Sequence, residues 1–247
     1  KPDFLKQRVA YYVVAADVWK YADTLEAVTA ERRTLYLASR DGAGDVFHSG
    51  SLVERPAAGA SADRWTYDPL DTRPGDAEPD DDPSPLTSQR EVLNLYGNGA
   101  IYHGEPLAEA TEVSGFPRLT LWLAMDVPDT DLEADLYELL PDGGSVALSS
   151  AVMRARYRES TREARLVTPG RPEKYVFDSF SFFSRRLARG SRLRLLVHCI
   201  NSPGTEKNYN AGGVVASETG KDARTAHVTL LHDREHPSAL ELPIGKP

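Results

Sequence analysis

The most suggestive spacing in the chain is His232-Asp233-Arg234-Glu235-His236, because two histidines four apart on a helix can share a zinc ion while a carboxylate between them acts as base. The helix is not expected. Thr225 to Leu231 reads as a strand and Pro237 follows His236 directly, so the pair falls on a strand end and a turn, where positions i and i+4 do not converge. Asp233 is also one methylene shorter than the glutamate such a motif uses, and it is expected to accept backbone hydrogen bonds in the turn. Acyl transfer would need an exposed serine on a Gly-x-Ser-x-Gly elbow. The nearest fragment, Gly59-Ala60-Ser61-Ala62-Asp63, lacks the closing glycine and a strand before it. The single cysteine, Cys199, falls on the apolar face of a strand pattern and is expected to be packed rather than reactive. Asp126, Asp129, Asp131 and Asp135 could share a calcium ion, but Pro128-Asp129-Thr130-Asp131 reads as a turn with no glycine to wrap several oxygens around one centre. No catalytic residue, metal site or cofactor is therefore expected. One binding candidate remains, the loop from Asn201 to Gly213, with Asn201, Asn208, Tyr209 and Asn210 as its residues for a sugar or a domain interface. Amides and an aromatic face suit a sugar; asparagine and glycine equally make turns of their own.

The elements that must carry these residues are mostly strands. Runs rich in Val, Leu, Tyr and Phe, separated by Gly, Pro, Asp and Asn, cover Val9 to Val14, Thr34 to Leu37, Val46 to Val53, Arg118 to Val127 and Ala134 to Leu140. Others follow at Val146 to Tyr157, Tyr175 to Phe183, Arg192 to Ile200, Thr225 to His232 and Ala239 to Leu242. Alternation is cleanest where Leu119, Leu121, Leu123, Met125 and Val127 share one face, and again at Leu193, Leu195, Val197 and Cys199. Helical periodicity is confined to short segments, Trp19 to Leu25 and Arg185 to Ala188. The absence of β/α alternation argues against doubly wound folds, and the pattern predicts an all-β, antiparallel two-sheet sandwich, a jelly roll.

Composition narrows the partners. The 247 residues are 27% charged and 40% hydrophobic, the balance of a globular chain, and a single domain over residues 1–247 is expected. With 29 basic against 37 acidic side chains the net charge is −8, which repels a phosphate backbone and argues against nucleic acid. No apolar run has the length of a membrane span, so no membrane partner is expected. The compartment is not legible, with a cytoplasmic location favoured over a secreted one. Residues 68–88 hold five prolines, six aspartates, Glu78 and Arg73, and read as a long acidic loop held at its start by Trp65 and Tyr67.

Several stretches, in order, resemble the C-terminal domain of the CocE/NonD family of serine hydrolases, related to X-Pro dipeptidyl-peptidases. They are Trp19-Lys20-Tyr21-Ala22-Asp23, Thr34-Leu35-Tyr36-Leu37, Tyr67-Asp68-Pro69, Glu112-Val113-Ser114-Gly115 with Thr120-Leu121-Trp122, and Pro128-Asp129-Thr130-Asp131. Further along stand Arg154-Ala155-Arg156-Tyr157-Arg158-Glu159, Gly190-Ser191-Arg192-Leu193-Arg194-Leu195, Asn208-Tyr209-Asn210 with Gly212-Gly213, and His236-Pro237-Ser238. The resemblance implies a galactose-binding-like jelly roll, joined in the same polypeptide to an α/β-hydrolase domain that carries the Ser-Asp-His triad, with residues 1–8 as the linker. No residue here corresponds to that nucleophile, acid or base. The implied parent reaction is hydrolysis of an ester or an X-Pro amide, with this domain packing on the catalytic core and shaping its cleft; self-association into a homo-oligomer is the further partner considered. The chain departs from the family pattern after Tyr67-Asp68-Pro69, where a glycine-rich stretch and an Asp-Gln-Arg triplet are expected and Ser88-Gln89-Arg90 stands instead. The alternative is a free-standing carbohydrate-binding module on the same fold, using the Asn201 to Gly213 loop.

Overall fold

The first ordered element is a hairpin, β1 (Val9–Val13) against β2 (Val18–Ala22), in register Tyr12↔Trp19. This computed structural model describes residues 6–56, 59, 62–73, 85–202 and 204–246. Ala15 and Asp17 turn the chain with φ of 64° and 55°. The helix expected from Trp19 is thus corrected to a strand: Val18, Tyr21 and Ala22 mimic a helical spacing over five residues, but pairing with β1 aligns alternate residues and buries Ala22 with Tyr11, Val13 and Val28. The second helical expectation, Arg185 to Ala188, is corrected for the same reason. It begins inside β12 (Phe183–Leu187), where Ser184 and Leu187 are buried and Arg186 is exposed.

The other strands form one sheet. They are β3 (Thr29–Ala38), β4 (Gly50–Val53), β5 (Asp63–Tyr67), β6 (Gly99–Gly104), β7 (Thr111–Gly115) and β8 (Arg118–Met125). After them come β9 (Asp131–Leu139), β10 (Ser145–Arg154), β11 (Glu173–Phe177), β13 (Arg192–Cys199), β14 (Ala226–Leu231) and β15 (Ala239–Gly245). The strand path is β10-β9-β13-β6-β4-β3-β15-β8-β14-β5, with β11 added on β8 and the β7–β12 pair joined through β15. The expected all-antiparallel sandwich is corrected here to a mixed sheet, because β4 runs parallel to β6. Parallel neighbours need a long crossover. The chain supplies one between Val53 and Gly99, travelling by way of β5 at the far end of the path. The run Tyr175 to Phe183 divides into β11 and the start of β12, and Val146 to Tyr157 closes as a 3-10 turn over Ala155–Tyr157.

Core position follows from alternation. On β8, Leu119, Leu121, Leu123 and Met125 are buried between more exposed neighbours; on β13, Leu193, Leu195, Val197 and Cys199 enter the same apolar cluster. That cluster joins both ends of the strand path, Ala151 of β10 and Leu132 and Leu136 of β9 with Trp65 and Tyr67 of β5, so the sheet curves around one shared interior. The other face of β13 is covered too. A short helix, α1 (Arg90–Leu93), lies in the crossover, and Val92 and Leu95 pack on Leu196, Ile101 and Tyr137. No helix among the described residues is long and apolar enough to cross a membrane. Residues 74–84 of the acidic loop and residues 1–5 of the expected linker lie outside the described residues.

On this covered face His103 of β6 accepts a hydrogen bond at Nε2 from Arg194 Nε (2.9 Å), which leaves Nδ1–H for Ser49 Oγ (2.8 Å). Burial, then Arg194 and Arg192, lowers the imidazole to about 4. The folded protein therefore binds fewer protons than the unfolded chain between about pH 4 and the ordinary imidazole value of 6.5, and stability rises with pH through that window. The expected contribution is about 1–2 kcal/mol after allowance for partial solvent screening. Urea titrations across pH 4–7 should show that slope, and His103→Gln should flatten it.

Candidate functional site

Three stretches far apart in sequence meet at the start of β9. Asp129 accepts hydrogen bonds from the Arg156 backbone N–H (2.9 Å), Arg156 Nε (2.7 Å) and Asn208 Nδ2 (2.9 Å). Asp131 takes Arg154 in a two-pronged pair (2.8 and 2.9 Å) and a second bond from Asn208 Nδ2 (2.9 Å). Arg154 also reaches Glu206 Oε2 (3.0 Å), and Arg156 Nη1 donates to the Gly213 carbonyl (2.7 Å). Asp129 has no exposed surface, and its burial pushes the carboxyl upward against the pull of Asn208 and Arg156. The network fastens the loop from Asn201 to Gly213 onto the strand.

The four candidate residues make the following contacts in that placement. The Asn208 amide is spent on the two aspartates, and the Asn210 amide donates to the Arg224 carbonyl (2.7 Å). The Asn201 amide donates to the Asp71 carbonyl while its oxygen accepts from Lys207 Nζ. Tyr209 is half-buried, held through its backbone to Glu218 and Arg224. Asn210 at φ 65° and Gly212 at φ 83° turn the loop, and a Cβ on Gly212 would stand 2.8 Å from Pro128 Cγ. Gly212→Ala is expected to cost about 1–3 kcal/mol by denaturant titration, since it combines left-handed strain with overpacking against Pro128.

The residues weighed for a shared zinc or calcium ion are each engaged in other contacts, and Ala60 and Ser61 of the Gly59 to Asp63 fragment lie outside the described residues. Asp233 Oδ1 accepts from the backbone N–H groups of Glu235 (2.8 Å) and His236 (2.9 Å), the turn that its sequence predicts. His232 and His236 face different partners: His232 is buried on Asp63, whereas His236 meets the edge of Trp122. Of the four aspartates weighed for calcium, Asp126 pairs with His227, Asp129 with Arg156, Asp131 with Arg154 and Asp135 with His198.

Folding does assemble one Ser-His-Asp set that sequence reasoning missed. Ser39 Oγ donates to Asp63 Oδ1 (2.7 Å), Tyr102 donates to Oδ2 (2.5 Å), and His232 Nε2 lies 3.0 Å from Oδ2 and 3.3 Å from Ser39 Oγ. Burial alone would raise the Asp63 carboxyl, but His232, Tyr102 and Ser39 together hold it below its ordinary range. The serine and the carboxylate share one imidazole nitrogen, so His232 cannot take the serine proton at Nε2 while giving that nitrogen's proton to Asp63. With His232 and Asp63 buried, the set is a structural knot that ties the ends of β3 and β14 to β5 and β6. Cys199 is equally inert. Burial pushes its thiol up to about 12, and Trp65 Nε1 points at its sulfur (3.4 Å).

Outward-facing apolar residues are concentrated differently. On the hairpin, Tyr12 and Trp19 stand directly opposite each other in edge-to-face contact (5.4 Å between centroids), and Trp19 is 62% exposed. Lys20 on the opposite hairpin face pairs with Glu112 of β7 (2.8 Å), and Val14 exchanges backbone bonds with β12, so the hairpin is fixed to the sheet. A second apolar surface is a cleft of about 640 Å³ floored by Leu35, Leu52, Leu107, Val113 and Ile244.

Comparison with known proteins gives the class: residues 5–241 match the X-Pro dipeptidyl-peptidase C-terminal non-catalytic domain, and the chain belongs to that family. It is a non-catalytic C-terminal domain of CocE/NonD-type hydrolases, as the sequence resemblance implied. Cocaine esterase of Rhodococcus sp. (strain MB1 Bresler) is 29% identical over 249 residues, a match that takes in 97% of this chain and 42% of that protein. The same fold occurs in an aminopeptidase from a marine sediment Thaumarchaeota archaeon (TM-score 0.78, 21% identity, 97% of this chain and 40% of that one). It recurs in an α-amino acid ester hydrolase (TM-score 0.75, 19% identity, 96% and 41%) and a CocE/NonD family hydrolase from Staphylococcus aureus (0.65, 17%, 97% and 42%). The chain thus spans about two-fifths of the length of each of these relatives.

Proposed function

We propose that this domain serves a serine hydrolase of esters or X-Pro amides, packing on an α/β-hydrolase domain of the same polypeptide and closing one side of its cleft. The observation that carries the reading is the family match over residues 5–241, in a chain that covers 42% of a curated esterase. The docking face is the outer face of β1–β2, where Tyr12 and Trp19 pack edge to face and stay open to solvent. Aromatic anchors of this kind carry much of the affinity in protein interfaces. The domain itself, over residues 1–247, is a jelly roll of the galactose-binding-like type; the strand path whose two ends share one core supports that reading. Asn201, Asn208, Tyr209 and Asn210 act in it as builders of a rigid loop at the domain surface.

The test is an assay of the purified chain against activated acyl esters and X-Pro anilides, alone and with the co-expressed α/β-hydrolase segment. No turnover by the chain alone, and binding to the hydrolase segment, is the expected result. Turnover by the isolated chain that a serine-directed phosphonate abolishes overturns the proposal.

A further inference from the structure

We propose that Glu91, Asp135 and His198, with Glu133 beside them, form a binding site for one divalent transition-metal ion of the zinc type. The site is assembled by three elements. Glu133 and Asp135 are two apart on β9 and share a face, His198 on β13 is paired in register with Glu133, and α1 lays Glu91 over both. His198 Nε2 is 3.1 Å from Asp135 Oδ2, 3.4 Å from Glu91 Oε1 and 3.9 Å from Glu133 Oε2. One ligand atom from each of Glu91, Asp135 and His198 lies within 4.8 Å of the other two. Ligands bound at roughly 2.0–2.2 Å stand about 3–4.4 Å apart, so side-chain shifts of a few tenths of an ångström close the set on an ion.

Two further observations point the same way. His198 Nδ1 faces the Cys199 carbonyl at 3.2 Å, the arrangement in which a metal-binding histidine gives its other N–H to a backbone carbonyl and turns Nε2 toward the ion. On the side of the imidazole away from Asp135 is a void of about 20 Å³ walled by Glu91, Glu133, His198, Asn98 and Ser202, enough for one water that could complete the coordination. The donors decide the class of ion. One imidazole nitrogen with carboxylate oxygens suits zinc or manganese, while calcium takes six to eight oxygens. An ion there would pin α1 to β9 and β13.

The experiment titrates chelator-treated full chain with zinc chloride by calorimetry, follows melting temperature, and repeats both with manganese, calcium and magnesium chlorides. Expected are one zinc per chain, a raised melting temperature, and a shift of the His198 Nε2 resonance in nitrogen-detected NMR. Glu91→Gln and His198→Gln should each weaken zinc binding tenfold or more; because the Glu91 side chain is 44% exposed, its variant carries the test if His198→Gln fails to fold. Absence of zinc binding, zinc binding unchanged in Glu91→Gln, or a calcium or magnesium preference overturns the proposal.

Discussion

Asp129→Ala is expected to lower the folding stability by about 3–5 kcal/mol, the cost of removing one partner from a buried ion pair. The carboxylate is fully buried and receives three hydrogen bonds, two from Arg156 and one from Asn208. Without it the Arg156 guanidinium, only 11% exposed, keeps just the Gly213 carbonyl. Asn208 retains Asp131, so the loop from Asn201 to Gly213 loosens rather than detaches. Asp129→Asn, which preserves shape and one acceptor, should cost less than half as much. A double-mutant cycle with Asn208→Ala should give a coupling of about 1 kcal/mol or more, because the two side chains share one network. Urea titration with an unchanged m-value provides the measurement. A loss under about 1 kcal/mol would show that Asp131 and Arg154 hold the loop alone.

The same network explains why part of this molecule could be read in advance. Pro128 to Asp131, Arg154 to Glu159 and Asn208 to Gly213 are three of the stretches that resemble the family, and folding ties them together through Asp129, Arg156 and Asn208. Each was legible singly as a turn or strand end, since proline, aspartate, asparagine and glycine announce turns by their own backbone chemistry. That the amides of Asn201, Asn208 and Asn210 are turned inward was not legible, because it depends on partners 14 to 130 residues away. β8 and β13 were legible for the opposite reason. Their alternating Leu, Met, Val and Cys residues face one shared core, so the period of two survives in the sequence.

Where a segment meets a small local partner the pattern fails. β2 and β12 are five-residue strands whose apolar positions coincide with a helical spacing, and only pairing with β1 and β7 settles the matter. The parallel β4–β6 pair was invisible because it is set by the route of the crossover rather than by residues in either strand. The Ser39–Asp63–His232 knot and the Glu91–Glu133–Asp135–His198 cluster each draw on three elements, and no spacing along the chain encodes them. A motif search finds groups that sit close in sequence, such as His232 and His236, and here those two serve separate structural ends.

Tyr12→Ser with Trp19→Ser should reduce affinity for the α/β-hydrolase segment by a hundredfold or more, about 3 kcal/mol, and leave the domain folded. The two rings form the open face of a hairpin whose inner face, Tyr11, Val13 and Ala22, supplies the packing that holds it. Their removal forfeits the edge-to-face contact and the bond from Tyr12 Oη to Asp17 (3.0 Å), both at the surface, so the expected stability loss is under about 1.5 kcal/mol. Trp19 also reports on docking: its emission should shift to the blue in the assembled protein, while Trp65, already buried, should not respond. If the double variant binds the hydrolase segment as tightly as the parent chain, the hairpin is not the docking face. The cleft floored by Leu35, Leu107 and Ile244 then becomes the surface to alter, and Leu107→Asp distinguishes the two, since the Lys20–Glu112 pair and the Val14 backbone bonds that fix the hairpin do not involve Leu107.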